Sequence, residues 1–312
     1  MPWDYNKFPG FRPSIQAGRK LPIRSAYMEY KDKAGQWVSL PGLNVRFSVT
    51  ENIGNIYPAA QIDVCNLTRE EREFLTNYFH MANPDYAGKL VRIHAGYIKS
   101  AEDWENTPAL FTGNVEFTRF TPPPDIWLCM SLIYRLAASG QQREEWTMRG
   151  THTVAEILSV GAKKLELKVD FRGTSQSELS KRTLTNFAMS GDGKLLLRKL
   201  QMSTPGYSVF INDDKLIVAK KGKEKPEKDA DKVWEVAPDT GLIGIPDIQP
   251  QGIFCTTLLN PEMRPGDWVK LTSLHQALGD GYFQIMQVQH EGELRGNDFY
   301  TRIQTRRPTL RA

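Results

Sequence analysis

Between 299 and 306 the chain alternates. Phe299, Thr301, Ile303 and Thr305 fall on one face and Tyr300, Arg302, Gln304 and Arg306 on the other. Successive side chains leave a strand on opposite sides, so a period of two marks a strand with one buried and one wet face. The texture fills the last third of the chain, from Thr240 to Arg306. Apolar runs at 252–259, 268–271 and 281–290 are separated by turn formers such as Arg264-Pro-Gly-Asp267 and Glu291-Gly-Glu-Leu-Arg-Gly-Asn297, which predicts a meander of short strands.

The first third has the same texture with one helix in it. Strands are predicted over 25–30, 37–40, 45–49 (Val45, Phe47 and Val49 on one side), 59–65, 90–98, 109–120 and 126–136. Thr68 and Glu71 stand at the spacing at which hydroxyl and carboxylate each satisfy a free donor of a helix start. Phe74, Leu75, Tyr78 and Phe79 follow as an apolar stripe, and the helix is expected to stop before Asn83-Pro84. The segment 100–108 reads as a polar exposed loop, and Thr121-Pro-Pro-Pro-Asp125 as a stiff turn. Residues 1–22 read as an irregular arm, too aromatic (Trp3, Tyr5, Phe8, Phe11) for a free tail.

Residues 140–222 change period. Thr153 and Glu156 repeat the helix-start spacing, ahead of Val154, Ile157 and Leu158. A strand is expected over 182–189, with a helix as the alternative there, then a helix over 194–202 ended by Thr204-Pro-Gly206 and a hairpin over 207–219. Residues 220–232 mix six lysines with four acids around Pro226 and read as a solvated linker. The expected organisation is therefore mainly β with an α+β insert: an arm (1–22), a first barrel (23–139), the insert (140–222), a linker (223–239), a second barrel (240–306) and a tail (307–312).

The two β regions resemble each other. Both run asparagine, apolar strand, long strand, turn, aspartate, strand; fourteen positions separate Phe111 from Asp125 and fifteen separate Phe283 from Asp298. This is the mark of a degenerate duplication of one small β unit. The competing reading is that any two antiparallel meanders look alike at this level, and the order of turn types is the only feature that separates the two readings.

Composition narrows the function classes. A net charge of +4 over 312 residues is too mild for a nucleic-acid-binding face. Cys65, Cys129 and Cys255 lie far apart in apolar runs and read as buried free thiols; with no signal peptide, this argues against secretion. No window is long and apolar enough for a membrane span. His80, His94, His152, His275 and His290 make no metal-binding spacing, and no phosphate loop, dinucleotide fingerprint or nucleophile elbow occurs. Gly191-Asp-Gly193 and Gly279-Asp-Gly281 lack the further oxygen ligands of a calcium loop. No cofactor or metal is expected. Paired carboxylates remain open, because such pairs converge in space and not in sequence.

Taken in order, the run Leu110-Phe-Thr-Gly-Asn-Val, the segment Lys194-Leu-Leu-Leu-Arg-Lys-Leu with its following hairpin, and the stretch from Gly252 through Pro265-Gly-Asp-Trp-Val-Lys-Leu to Asp298-Phe resemble baseplate hub proteins of contractile-tailed bacteriophages. More distantly the chain resembles the hub half of type VI secretion spike proteins. The resemblance spans roughly 25–306. It implies two tail-tube-like barrels per chain, a homotrimer presenting six near-equivalent units to a sixfold tail tube, and a threefold seat for a central spike. Implied partners are the tail tube protein, the central spike protein and other baseplate proteins, with DNA only as passing cargo. The implied location is the virion tail, after assembly in the host cytoplasm. The family offers no catalytic residues to carry over, and the end at Ala312 suggests that the spike is a separate chain. Phe74 and Tyr78 are the candidate subunit-interface residues. The alternatives are a tail-tip cell-wall hydrolase and a tail-tube or terminator protein.

Overall fold

Strand β3 (Val45–Asn52) shows how the pattern becomes structure: Val45, Phe47, Val49 and Glu51 are buried, while the residues between them are half-buried or exposed. The computed structural model describes residues 23–53, 57–76, 89–134, 144–191, 193–212, 215–221, 226, 231–250, 252–272 and 281–306. The predicted arm, tail, Tyr78, Phe79, His80 and His275 lie outside them.

Around β3 stand β1 (Ile23–Lys31), β2 (Trp37–Leu40), β4 (Ala59–Cys65), helix α1 (Arg69–Leu75), β5 (Leu90–Ile98), β6 (Ala109–Phe120) and β7 (Trp127–Tyr134). The insert follows: β8 (Glu144–Thr153), α2 (Val154–Lys164), β9 (Lys168–Phe171), α3 (Ser175–Leu179), β10 (Thr183–Gly191), α4 (Gly193–Met202), β11 (Tyr207–Asn212) and β12 (Lys215–Lys220). Last come β13 (Val233–Val236), β14 (Leu242–Gln249), β15 (Gly252–Leu258), β16 (Trp268–Leu271), β17 (Gly281–Glu293) and β18 (Phe299–Arg306).

The duplication is visible in the strand order. The first β region runs β3-β4-β7-β6-β5 and the last runs β14-β15-β18-β17-β16. Numbered by chain order, both are 1-2-5-4-3. Even the irregularities coincide. Strand β6 bulges against β7 between Val115 and Phe117, and β17 bulges against β18 between Ile285 and Gln287. Beyond the bulges the ladders run Phe117–Ser131–Gln61–Ser48 in one copy and Gln287–Gln304–Phe254–Asp247 in the other. Position by position, β6 corresponds to β17 and β3 to β14.

The two copies are not separate. Gln287–Glu293 of β17 pairs with Arg46–Asn52 of β3, so both belong to one sheet of thirteen strands among the described residues. The expected mainly β architecture with two antiparallel β units stands, and no ladder closes either unit into a barrel among those residues. One long strand joins the two units. Strand β17 is thirteen residues long; its first four hold β16, and its last seven hold β3 on the same edge.

The insert packs on the first copy. Both capping boxes form as expected: Thr153 and Glu156 exchange hydroxyl and carboxylate bonds with each other's backbone N–H at 3.2 and 3.1 Å, as do Thr68 and Glu71 at 3.3 and 2.8 Å. Helix α2 buries Val154, Ile157 and Leu158 in a core continuous with that of the first sheet. The last copy has its own core around Val269, Ile285, Val288 and Ile303.

Several local readings change. Helix α1 ends at Leu75, not near 83, because both the N–H and the hydroxyl of Thr76 bond to Arg72 O (2.8 and 2.6 Å) and Thr76 turns extended. The loop over 100–108 is a 3-10 turn (Ala101–Asn106) whose Trp104 meets the Tyr27 ring edge-on at 5.0 Å. The segment read as linker contains β13, which pairs in parallel with β16. Strands β8 and β9 and helix α3 were not anticipated. Cys65, Cys129 and Cys255 are buried free thiols, as expected.

Candidate functional site

The structure brings the two copies together at one seam, between β3 and β17. His290 lies opposite Val49, and both are fully buried. Gly292 lies between Phe47 and Phe299, whose rings meet edge-on at 5.8 Å. A β-carbon on Gly292 would stand 2.7 Å from Phe299 and 2.8 Å from Phe47, so only glycine fits there without displacing a ring. The outward face is polar: Asn52 Nδ2 donates to Gln287 at 3.1 Å, Gln289 Nε2 to Ser48 at 3.4 Å, and Arg46 pairs with Glu293 at 3.0 Å. Arg24 of β1 donates to the carbonyls of Gly296 and Asn297 and covers the Phe299 ring.

At one end of the seam charges are buried. The Arg264 guanidinium stands 3.8 Å from the Glu51 carboxylate. Asp267 accepts from Trp234 Nε1 at 3.0 Å and from the Arg264 backbone N–H at 3.3 Å, and it faces Arg172 of the insert at 3.7 Å. Burial raises the Asp267 carboxyl above its ordinary range against the pull of those donors. Burial, then the nearby Arg264 charge, push the His290 imidazole down to about 3, so the ring is neutral and pairs with the Thr301 hydroxyl at 3.0 Å. Buried charges hold their position only when paired, and breaking such a pair is strongly destabilising. The cluster therefore fixes both β copies and the insert relative to one another.

The remaining described histidines are engaged as well. His94 sits between Thr107 O (2.9 Å) and Glu29 (3.1 Å), and its ring stacks on Tyr27. His152 meets Arg149 O at 2.9 Å. Among the described residues no three His, Cys, Asp or Glu side chains gather as a metal site. A cavity of about 390 Å³ in the first copy is lined by Trp37, Glu51, Arg92, Phe111 and Tyr134.

The outer surface carries exposed apolar side chains. Ile243, Ile245 and Ile248 are exposed on β14, whose outer edge pairs with nothing among the described residues. Phe117 and Phe120 are exposed at the far end of β6. Unpaired edges and uncovered apolar residues together mark docking surfaces. Phe74, the candidate from the sequence, is half-buried on α1; its ring lies 5.4 Å from Tyr30 and 4.4 Å below the Lys89 ammonium. Between the end of α1 and the β6–β7 turn lies a cleft of about 380 Å³ that includes Arg69, Arg72, Phe120 and Ile126. Phe117, Phe120 and the β14 isoleucines were missed in the sequence, because an apolar residue in a strand reads as core until the strand's partners are known.

Residues 25–305 match the model of the family described as Baseplate hub gp41. The chain belongs to this family. It is thus a structural baseplate protein, a component of a phage tail within the virion. A comparison with curated proteins finds no match. Solved structures agree on the fold. The 43 kDa tail protein of prophage MuSo2 from Shewanella oneidensis is similar with a TM-score of 0.57 at 11% identity, covering 91% of this chain and 97% of that one. A tail protein from Neisseria meningitidis gives 0.58 at 10% identity, with 91% and 96% covered. An Escherichia coli component of the type VI secretion system, described as similar to T4 bacteriophage tail proteins gp27 and gp5, gives 0.52 at 10% identity, with 86% and 74% covered. The tail and type VI resemblance seen in the sequence of the hub chain is therefore also a resemblance of fold.

Proposed function

We propose that three copies of the hub chain form a ring that joins the sixfold tail tube to a threefold central spike. The observation that carries this reading is the repeated 1-2-5-4-3 strand order. A chain holding two equivalent β units supplies six such units in a trimer, while the assembly keeps threefold symmetry. One face can then meet a sixfold tube and the other a threefold spike without either partner changing symmetry.

In this reading the ring encloses a central channel, contacts other baseplate proteins at its rim and passes DNA only as cargo. A mild net charge suits such a channel, since strong phosphate binding would retard the passing chain. Assembly takes place in the host cytoplasm, and the role is mechanical, not enzymatic. Phe74 on helix α1, and Tyr78 further along the chain, contribute to the ring contact. The experiment is native mass measurement of the purified chain, alone and with its spike, followed by negative-stain class averages. A particle of three chains with six features on one face is expected. A monomer under both conditions would overturn the reading.

A further inference from the structure

The open edge of β6 is the counterpart of an edge that the chain itself has already filled. On β17, residues up to Ile285 bond to the β16 side, and Gln287–Glu293 then receive β3. On β6, residues up to Val115 bond to the β5 side; the Val115 N–H donates to Lys89 O as the Ile285 N–H donates to Asp267 O. Past Val115 no strand occupies that edge among the described residues. The strand equivalent to β3 is β14, which also ends in an open edge. The first copy thus presents the acceptor and the last copy the donor of a second seam.

We infer that β14 of one chain pairs with the far end of β6 of the next, in the register of the internal β3–β17 seam. The inference rests on the trimeric reading above and specifies its contact. Equivalence of the ladders places Ile248 at the position of Val49 and Phe120 at that of His290, so Phe120 and Ile248 face each other across the seam. Val49 and His290 are 0% exposed, whereas Phe120 and Ile248 stand 47% and 42% exposed. Apolar side chains on a face that is closed in one copy and open in the other are what a missing neighbour leaves behind. The polar face agrees. In the internal seam Gln289 reaches diagonally to Ser48; the equivalent pair is Arg119 and Asp247, opposite charges one diagonal step apart. A contact from one patch to a different patch is head-to-tail, and such contacts close into rings when the rotation allows. Three internal and three intermolecular seams then alternate around one ring.

The test is oxidative cross-linking of the assembled protein, with its mass measured on the same sample. Phe120→Cys and Ile248→Cys in one chain should give disulfide-linked dimers and closed trimers on a non-reducing gel. Thr118→Cys with Ile248→Cys, one diagonal step out of register, should give about tenfold less, because opposite β-carbons stand about 5 Å apart and diagonal ones about 7–8 Å. The native cysteines are buried and should not interfere. Rings that cross-link through the second pair, or through neither, would overturn this register and leave the trimer standing. Absence of rings in the unsubstituted protein, with and without its spike, would overturn the trimer and the seam together.

Discussion

His290 on β17 lies directly opposite Val49 on β3, and neither side chain reaches solvent. A histidine so placed makes the seam sensitive to acid. Its folded-state value is about 3, against an ordinary 6.5. Between those values the unfolded chain binds a proton that the folded chain does not, so stability falls as pH falls. The melting temperature should drop from pH 7 towards pH 4, and His290→Gln should flatten that slope. Asp267 contributes with the opposite sign, since burial raises its carboxyl above 3.8; the difference between the two proteins is therefore the readout. Parallel slopes would show that His290 takes a proton freely.

Gly292 offers a steric test of the same seam. Gly292→Val should destabilise the chain by about 1–3 kcal/mol in urea unfolding, because both flanking rings must shift. Gly252→Ala should be worse, since its β-carbon would sit 1.9 Å from the Thr305 backbone oxygen, which cannot swing aside. Equal and small losses for both would contradict the close packing.

Helix α2 depends on its first turn. Removing the Thr153 hydroxyl leaves the Glu156 N–H without its acceptor, and Thr153→Ala should cost about 1 kcal/mol. Thr153→Ser should restore most of it, which separates capping from a general loss of packing.

In the insert, Glu178 accepts from Lys220 Nζ at 2.7 Å and from the Tyr207 hydroxyl. These bonds hold its carboxyl down to about 2, from an ordinary 4.5. The contribution is fully present above pH 4.5 and is lost as pH falls towards 2. Carbon-detected NMR titration of Glu178 should show a midpoint well below 4, and Lys220→Met should move it upward.

Phe74→Glu tests the helix. The ring packs against Tyr30 at the surface end of the core, so a stably folded variant that assembles normally would remove α1 from the ring contact.

Much of this was legible in the sequence where one local rule sufficed. Thr68 with Glu71 and Thr153 with Glu156 announced both helix starts, and the alternation from Phe299 to Thr305 announced β18. What lay hidden depended on partners far away in the chain. Strand β13 falls within the expected 223–239 linker because only its pairing with β16 makes Val233–Val236 a strand. The early end of α1 rests on Thr76, whose N–H and hydroxyl both bond to Arg72 O before the chain turns extended. The role of Phe120 could not be read at all, since a single strand does not reveal which of its edges is left open. The duplication was visible only as similar spacing; the shared strand order and the matching bulges decide it.

The internal seam also sets an order of events during synthesis. Asn52 and Gln287, which bond across it, are 235 positions apart. At roughly 5–20 residues per second, β3 waits on the order of 10–50 s at the ribosome before its partner strand is made. Through that interval its edge is a bare template that another nascent chain could occupy. Val45, Phe47 and Val49 are the residues a chaperone would have to shield until the last strands emerge.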